Sequence, residues 1–380
     1  MAPRVSVLIK SYNHAQFVAQ TIQSVLDQSF QDFEIVVTDD ASSDGSPNVI
    51  RSFKDQRISL KVFPTNLGIS TAMNATLARA RGEFMAILNS DDYALPNRLE
   101  RQVAFLDTHP NAGAVFAMPK IVDETGASTA GFFDFRLALT LPDFSRRSWL
   151  RQFFFAGNVL CAPTAMIRRS AYAACGEYDP RLTNLQDLDM WVRLAARAPI
   201  YLMNDELTAF RIRRDNQNVS APRSDTELRS QFEWAQILRR FRAMPAQVLE
   251  ETFAQDLVER KIEVNTVPDI WLAELALTGP HPAQRLFALE TLFETAHSNE
   301  EIRRLRYRLG TIDVFGIQEA RRREARIGQL DGELTAANAK LDAMELRTRD
   351  LQESLQRLTN SRSWRLTAPL RALSGTLKRG

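Results

Sequence analysis

The chain has 380 residues, 44% hydrophobic and 25% charged, which is typical of a soluble globular protein with one large domain and extensions or with two to three domains. The net charge of +2 is too small to indicate bulk nucleic-acid binding, so we expect no nucleic-acid partner. Two cysteines are too few for a disulfide framework. The sequence has no apolar stretch of about 18 residues and no signal-peptide pattern, so the expected location is the cytoplasm.

The first 120 residues alternate short apolar runs with helical patterns. The apolar runs predict four strands, at residues 5–9, 33–37, 58–63 and 84–88. A helix is predicted over residues 70–81, where Gly82 provides the stop. Strand–helix alternation at this spacing predicts an α/β fold with a Rossmann-like, mainly parallel sheet and helices on both faces.

The pattern along the chain predicts four parts. They are a first domain at 1–222, a helical region at 223–320, a coiled coil at 321–360 and a basic tail at 361–380. The helical region carries apolar stripes and no recognisable chemical motif. Over residues 327–358, apolar residues recur alternately three and four positions apart. This heptad seam predicts a homo-oligomer, most simply a parallel dimer.

The basic tail at 361–380 carries five Lys or Arg residues and no acidic residue, with Trp364 among them. Anionic headgroups attract cationic side chains, and tryptophan favours the membrane interface. The tail therefore predicts peripheral contact with the inner face of the cytoplasmic membrane, and a disordered, solvated tail is the alternative. Flotation with anionic vesicles separates the two, because only an anchoring tail changes the fraction of protein that floats.

Three of the predicted strands end in polar groups. These endings are Ser11-Tyr12-Asn13-His14, Asp39-Asp40 and Asn89-Ser90-Asp91-Asp92. Ligands of such sheets bind beyond the carboxyl ends of the strands, so the three endings predict one ligand site. No glycine follows the first strand, which argues against the dinucleotide fingerprint and against nicotinamide or flavin chemistry.

Residues 5–46 and 66–110, which contain "LIKSYNH", "VVTDDASSDGS" and "ILNSDDYALPNRL", resemble family 2 glycosyltransferases of the GT-A fold. The resemblance is dense over residues 4–120 and continues loosely to about 220 through "GEYDPRL" and "QDLDMWVRL". It implies an inverting transferase that moves a sugar from a UDP- or dTDP-sugar to a glycan or lipid-linked acceptor in surface polysaccharide biosynthesis. The alternative from another class is a catalytically weak scaffold protein that acts through its coiled coil.

The resemblance implies that Asp92 is a ligand of Mg²⁺ or Mn²⁺ and that Asp91 contacts the ribose or the metal. The chemistry agrees, because these hard cations prefer oxygen ligands and neutralise the charge of a departing diphosphate. Asn89 stands where relatives commonly carry an acid. A solvated Asp-Asp turn, with Pro96 at the first position of the next helix, is the alternative for the dipeptide.

The same resemblance implies a donor pocket. Asp40 would accept the imide N–H of a pyrimidine base, and Ser11 and Tyr12 would line the base pocket. Asn66 could reach the donor, and Gly68 would permit close backbone approach or a positive φ. Helix capping is the alternative for Asp40, and ordinary packing is the alternative for Tyr12.

The segment "QDLD" resembles the family's E-D motif, in which Asp187 matches the catalytic base and Gln186 replaces the common glutamate. Capping of the following helix is the alternative for Asp187. Arg213 and Arg214 stand where relatives often carry a histidine; arginine cannot ligate a metal, but it binds diphosphate oxygens bidentately. The four histidines are scattered, so we expect them at surface or turn positions.

Overall fold

Eight strands form one sheet within the described residues of this computed structural model, which are 2–130, 134–213, 218, 224–264, 267–312 and 317–360. The strands are β1 (Val5–Ser11), β2 (Phe33–Asp39), β3 (Ile58–Val62), β4 (Phe84–Asn89), β5 (Tyr93–Ala94), β6 (Ala114–Val122), β7 (Met166–Arg168) and β8 (Ile200–Arg211). Their order across the sheet is β3-β2-β1-β4-β7-β6-β8-β5. Arg214 and the predicted basic tail at 361–380 lie outside the described residues.

The four predicted strands are β1 to β4, which pair in parallel in the order β3-β2-β1-β4. The sheet is mixed beyond them, because β7 runs antiparallel to both β4 and β6, and β5 runs antiparallel to β8. The α/β class is therefore confirmed. Every residue of β2 is buried, which explains why this strand is a nearly continuous apolar run in the sequence.

Helices cover both faces of the sheet, as predicted. The helices are α1 (Val18–Leu26), α2 (Ser46–Ser52), α3 (Ile69–Leu77), α4 (Arg98–Thr108), α5 (Arg146–Phe155), α6 (Arg169–Cys175), α7 (Gln186–Ala195), α8 (Ser224–Arg242), α9 (Ala246–Glu259), α10 (Pro268–Leu277), α11 (Pro282–Thr295), α12 (Asn299–Thr311) and α13 (Ile317–Asn360). Val7 and Ile9 pack in one core cluster with α1 and α4, and Leu8 packs in a second cluster with α3, α5 and α7. This alternation arises because successive side chains of a strand point to opposite faces.

The helices α8 to α12 belong to the same compact unit as the sheet, Met1–Ile312. Aromatic packing joins α8 and α9 to α5, where the Phe154 ring lies 5.1 Å from the Phe241 ring and 4.8 Å from the Phe253 ring, centroid to centroid. This compact unit therefore includes both the predicted first domain and most of the predicted helical region, and the boundary at 222 stays a prediction.

A second compact unit, Asp313–Gly380, is described over α13. This helix has 44 residues, and at about 1.5 Å per residue it is about 66 Å long. Five leucines of the predicted seam are exposed on it: Leu330, Leu334, Leu341, Leu351 and Leu355. The coiled coil remains a prediction. None of the helices in the described residues is long and apolar enough to cross a membrane.

Candidate functional site

A cavity of about 830 Å³ opens at the carboxyl ends of β1, β2 and β4. Nine described residues were predicted to be catalytic, donor-binding or metal-binding, and eight of them line the cavity: Ser11, Tyr12, Asp40, Asn66, Gly68, Asp91, Asp187 and Arg213. Its volume lies within the usual range for small-molecule sites. The topology is responsible for this convergence, because parallel strands bring their carboxyl ends to the same edge of the sheet.

Asp40 organises the loop that precedes α3. Its two carboxylate oxygens accept hydrogen bonds from the backbone N–H groups of Leu67 at 2.7 Å and Gly68 at 2.9 Å. Asn66 Nδ2 donates to the Asp40 carbonyl oxygen at 3.3 Å. Gly68 has a φ of +88°, a conformation that side chains rarely adopt. Asp40 is therefore bonded to this loop, and the N-terminal residue of α2 has no side-chain cap.

Asp92 does not line the cavity and instead links the end of β4 to β8. Its carboxylate accepts the Arg211 backbone N–H at 2.8 Å and an Asn89 Nδ2 hydrogen at 2.8 Å. Only 1% of the residue is exposed. Burial, together with the neighbouring charge of Asp91, raises the pKa of the Asp92 carboxyl well above its usual range. Its role as a metal ligand therefore stays a prediction, and in this structure its carboxylate fastens the end of β4 to β8.

Asp91 lines the cavity beside two basic groups. His14 Nε2 lies 3.7 Å from Asp91 Oδ2 and 2.9 Å from Arg213 Nη1. Since a guanidinium only donates, His14 Nε2 accepts, and its proton is on Nδ1, which lies 2.7 Å from Ser90 Oγ. Burial lowers the pKa of His14, consistent with a neutral ring. The expectation of a surface or turn role for His14 missed this contact, although its place directly after β1 was a usable signal.

Asp187 presents a carboxylate to the cavity from the start of α7. Asn158 Nδ2 donates to its Oδ2 at 2.9 Å, and the Leu188 backbone N–H donates to its Oδ1 at 2.8 Å. Burial raises the pKa of Asp187 to about 6, although these hydrogen bonds and the charge of Lys10 act in the opposite direction. A carboxyl with this pKa is largely ionised at neutral pH and titrates close to it, which suits a general base.

The N-terminus of α7 is held by a residue of α8. Glu233 accepts the backbone N–H groups of Thr183 at 2.9 Å, Asn184 at 2.9 Å and Leu185 at 2.8 Å. Glu233 is buried, and these three groups precede the helix that carries Asp187. Glu233 thus fastens the loop before α7, while Asp187 accepts the Leu188 N–H of the first turn through Oδ1 and lines the cavity.

The helix α8 also supplies part of the cavity wall through Ser230, Gln231 and Trp234. No local sequence pattern indicated this contribution, because α8 reaches the cavity only by packing on α5 and α7. Three buried oxygen atoms of the lining have no hydrogen-bond partner among the described residues: Ser11 Oγ, Asn184 Oδ1 and Gln186 Oε1. Buried polar atoms are normally bonded, so these atoms indicate a polar ligand.

The donor atoms of the cavity fit a divalent cation that is shared with a phosphate ligand. Within the described part of the chain, no group of three or more His, Cys, Asp or Glu side chains is arranged to hold a metal ion. Asp91 brings one carboxylate to the lining. Mg²⁺ is typically held by one or two carboxylates together with substrate phosphates and water, and Mn²⁺ prefers similar oxygen ligands. The residues fit such an ion and do not form a closed protein cage.

The mixed α/β sheet with this polar cavity at its carboxyl edge is a GT-A-like fold, as comparison with solved structures shows. The solved structure of S. aureus TarS 1-349 in complex with UDP-GlcNAc shares the fold, with a TM-score of 0.53 and 18% sequence identity. The similarity covers 82% of this chain and 93% of that chain. At this identity the likeness concerns the fold alone.

The chain belongs to glycosyl transferase family 2, whose model matches residues 6–176. EpsE of Bacillus subtilis is 32% identical over 196 residues, which are 50% of this chain and 66% of EpsE. TuaG of Bacillus subtilis, named as a teichuronic acid biosynthesis glycosyltransferase, is 27% identical over 68% of this chain and 98% of its own length. ExoO of Rhizobium meliloti, named as a succinoglycan biosynthesis protein, is 36% identical over 37% of this chain and 42% of ExoO.

Proposed function

We propose that the protein is an inverting glycosyltransferase that uses a UDP- or dTDP-sugar and a glycan or lipid-linked acceptor in surface polysaccharide biosynthesis. The observation that carries the proposal is the composition of one cavity. It contains Asp187, a carboxylate suited to accept a proton, and Asp91 and Arg213, which are charged groups suited to a diphosphate and its counter-ion. The names of TuaG and ExoO, which refer to teichuronic acid and succinoglycan biosynthesis, support the product class.

Asp187 acts as the base. The acceptor oxygen attacks the anomeric carbon from the face opposite the diphosphate, and its proton passes to the Asp187 carboxylate. The bond from the anomeric carbon to the diphosphate oxygen breaks, and its electron pair leaves with the diphosphate, so the configuration inverts. Asn158 and the Leu188 N–H hold the carboxylate in one orientation, which lowers the entropic cost of reaching the reactive geometry.

The donor lies along the ends of β1, β2 and β4. The Asp40 carboxylate retains acceptor sites beyond the two used by the loop, since an ionised carboxylate has about four. Ser11 Oγ has no partner among the described residues and Tyr12 is 46% exposed, so both are available to a pyrimidine base. Arg213 binds oxygens of the leaving diphosphate. A Mg²⁺ or Mn²⁺ ion, when bound, would neutralise part of the developing charge there, and Asp91 would hold it.

The acceptor occupies the end of the cavity formed by α7 and α8. The Asn184 Oδ1 and Gln186 Oε1 atoms can each accept a hydrogen bond from a sugar hydroxyl, and neither has a partner among the described residues. Gln231 and Trp234 of α8 line the same cavity. A lipid-linked acceptor would be met at the inner face of the cytoplasmic membrane, so peripheral attachment through residues 361–380 belongs to this proposal.

A screen of nucleotide sugars by thermal shift tests the proposed function. UDP- and dTDP-sugars should raise the melting temperature, because a ligand at 100 times its dissociation constant stabilises the native state by about 2.7 kcal/mol. The sugars that bind should then be turned over in the presence of Mn²⁺, with transfer to an acceptor or slow hydrolysis. Absence of both stabilisation and turnover for every nucleotide sugar would reject a donor-using enzyme and would favour the scaffold alternative.

We further propose that α13 dimerises the protein through its seam. Leu341 lies on the seam and is 57% exposed, and Leu346 lies on the opposite side of the helix and is 62% exposed. These two leucines form a matched pair for mutagenesis, because they lie on different sides of the helix and have nearly the same exposed fraction. We expect Leu341→Glu to convert a dimer into a monomer in light scattering, because a charge would be buried in the seam. Leu346→Glu should remain a dimer. A monomeric parent protein, or the same oligomeric state for both variants, would contradict dimerisation through the seam.

A further inference from the structure

Lys10 occupies an unusual place for a cation. It lies near the end of β1, which is flanked by β2 and β4 in the interior of the sheet, and it follows the buried run from Val5 to Ile9. Its Cα pairs in register with those of Thr38 and Asn89. Unlike the buried apolar residues before it, Lys10 lines the cavity.

The ammonium of Lys10 has little compensation from the protein. Its Nζ donates one hydrogen bond, to Asn89 Oδ1 at 2.9 Å, although an ammonium has three hydrogens. No carboxylate among the described residues forms an ion pair with it within 4.0 Å. Burial lowers the pKa of Lys10, and the charges of Asp187, Asp91 and Asp92 act in the opposite direction. A half-buried cation with one hydrogen-bond partner has lost part of its hydration, and an anion bound in the cavity would offset that loss.

The neutrality of Asn89 is what keeps this charge available. A carboxylate at this position, 2.9 Å from Nζ, would form an ion pair with Lys10 and neutralise it. The amide instead holds the ammonium in place through its oxygen, and its nitrogen donates to Asp92 Oδ2 at 2.8 Å. The pair Lys10 and Asn89 therefore presents a positioned positive charge to the cavity, within electrostatic range of Asp187, Asp91 and Asp92 but in an ion pair with none of them.

We propose that Lys10 is a phosphate-binding residue whose ammonium contacts the diphosphate of the donor. This inference rests on the proposed function for the identity of the ligand. In this arrangement the chain supplies part of the countercharge to the diphosphate from a side chain held at the carboxyl end of β1. Lys10 then acts beside Arg213, and its contribution persists when divalent cations are removed.

Equilibrium binding measured in EDTA tests the proposal with three probes: UDP, uridine and inorganic pyrophosphate. Because one charge-assisted hydrogen bond is lost, Lys10→Met should lower the affinity for UDP and for pyrophosphate by about tenfold. Its affinity for uridine should be unchanged. The control is Lys54→Met, which removes an exposed lysine whose Nζ donates to the Arg51 carbonyl oxygen. It should bind all three probes as the parent protein does.

The outcomes are distinct. If Lys10→Met binds UDP and pyrophosphate as tightly as the parent protein does, the proposed contact between Lys10 and phosphate is wrong. The same conclusion follows if its affinity for uridine falls by the same factor as its affinity for UDP. If the parent protein binds pyrophosphate in a Lys10-dependent way but binds no UDP, the donor assignment fails and the anion site stands. If it binds neither, both proposals fail. Lys10→Gln repeats the test should Lys10→Met not fold, and failure of both neutral variants to fold would make Lys10 structural and overturn the proposal.

Discussion

Replacement of Asp187 by Asn abolishes sugar transfer and leaves donor affinity nearly unchanged. A positioned general base contributes about 10²- to 10⁴-fold to the rate, and its loss acts on the transition state and not on ground-state binding. The amide has the same size as the carboxyl, so the Asn158 and Leu188 contacts need little rearrangement. Single-turnover transfer and donor affinity, measured on the same variant, separate the two effects. Transfer at the parental rate would assign Asp187 to a structural role.

The neighbouring Asp189 provides the control for this variant. Its carboxylate is buried and forms ion pairs with Arg193 at 2.6 Å and Arg240 at 2.8 Å, which joins α7 to α8. Asp189→Asn should therefore lower the melting temperature, because breaking a buried ion pair destabilises a fold by about 3–5 kcal/mol. The remaining folded protein should transfer sugar at the parental rate. The two variants thus separate a chemical role from a structural one within a single helix.

The pH dependence of the parent enzyme follows from the same residue. Burial raises the pKa of Asp187 to about 6, and only the ionised carboxylate can accept a proton. Turnover should be nearly constant above neutral pH and should fall as the pH decreases through about 6. A profile of turnover at saturating donor that remains flat down to pH 5 would show that Asp187 is not the group whose ionisation controls transfer.

Replacement of Asp91 by Ala removes the dependence of activity on Mg²⁺ or Mn²⁺ together with most of the activity, whereas replacement of Asp92 by Ala lowers stability. Asp91 lines the cavity, and its carboxylate is the group we propose to hold the cation. Asp92→Ala leaves the Arg211 N–H and Asn89 Nδ2 groups unsatisfied, at about 1–3 kcal/mol for each buried group. Activity titrated with Mn²⁺ and the melting temperature, recorded for both variants, separate the two roles.

Treatment of the parent enzyme with EDTA completes this test. Full turnover after chelation would show that no divalent cation is required, and Lys10 and Arg213 would then carry the charge stabilisation. A melting temperature of Asp92→Ala equal to that of the parent protein would contradict its structural role. These two results are independent, so either assignment can fail while the other stands.

The strands and the location of the site were predictable because they depend on short stretches of sequence. The buried strands β1, β2 and β4 form nearly continuous apolar runs that a polar residue ends, whereas β3 is half-exposed and alternates apolar with polar residues. Each of the four was placed within two residues of its observed bounds. The carboxyl ends of β1, β2 and β4 then had to meet at one edge. The α/β fold and the cavity at that edge follow from these local signals.

The separate positions of Asp91 and Asp92 could not be predicted. Adjacent residues of a turn look alike in the sequence, and which side chain faces the ligand depends on the partner that the other one finds. Asp92 finds the Arg211 backbone N–H, 119 positions along the chain, and Asp91 remains at the cavity. Two adjacent carboxylates are tolerated at this strand end because Asp92 is held in hydrogen bonds, while Asp91 lines the cavity beside His14.

The hydrogen bonds from Thr183, Asn184 and Leu185 to Glu233 have a consequence for protein engineering. The matched family segment ends at residue 176, and the predicted domain ended at 222, yet the loop that positions the base is fastened by a residue of α8. A chimera joined at either point would combine the base loop of one protein with the support of another. An exchange of acceptor specificity between relatives therefore has to transplant the loop and α8 as one inseparable piece.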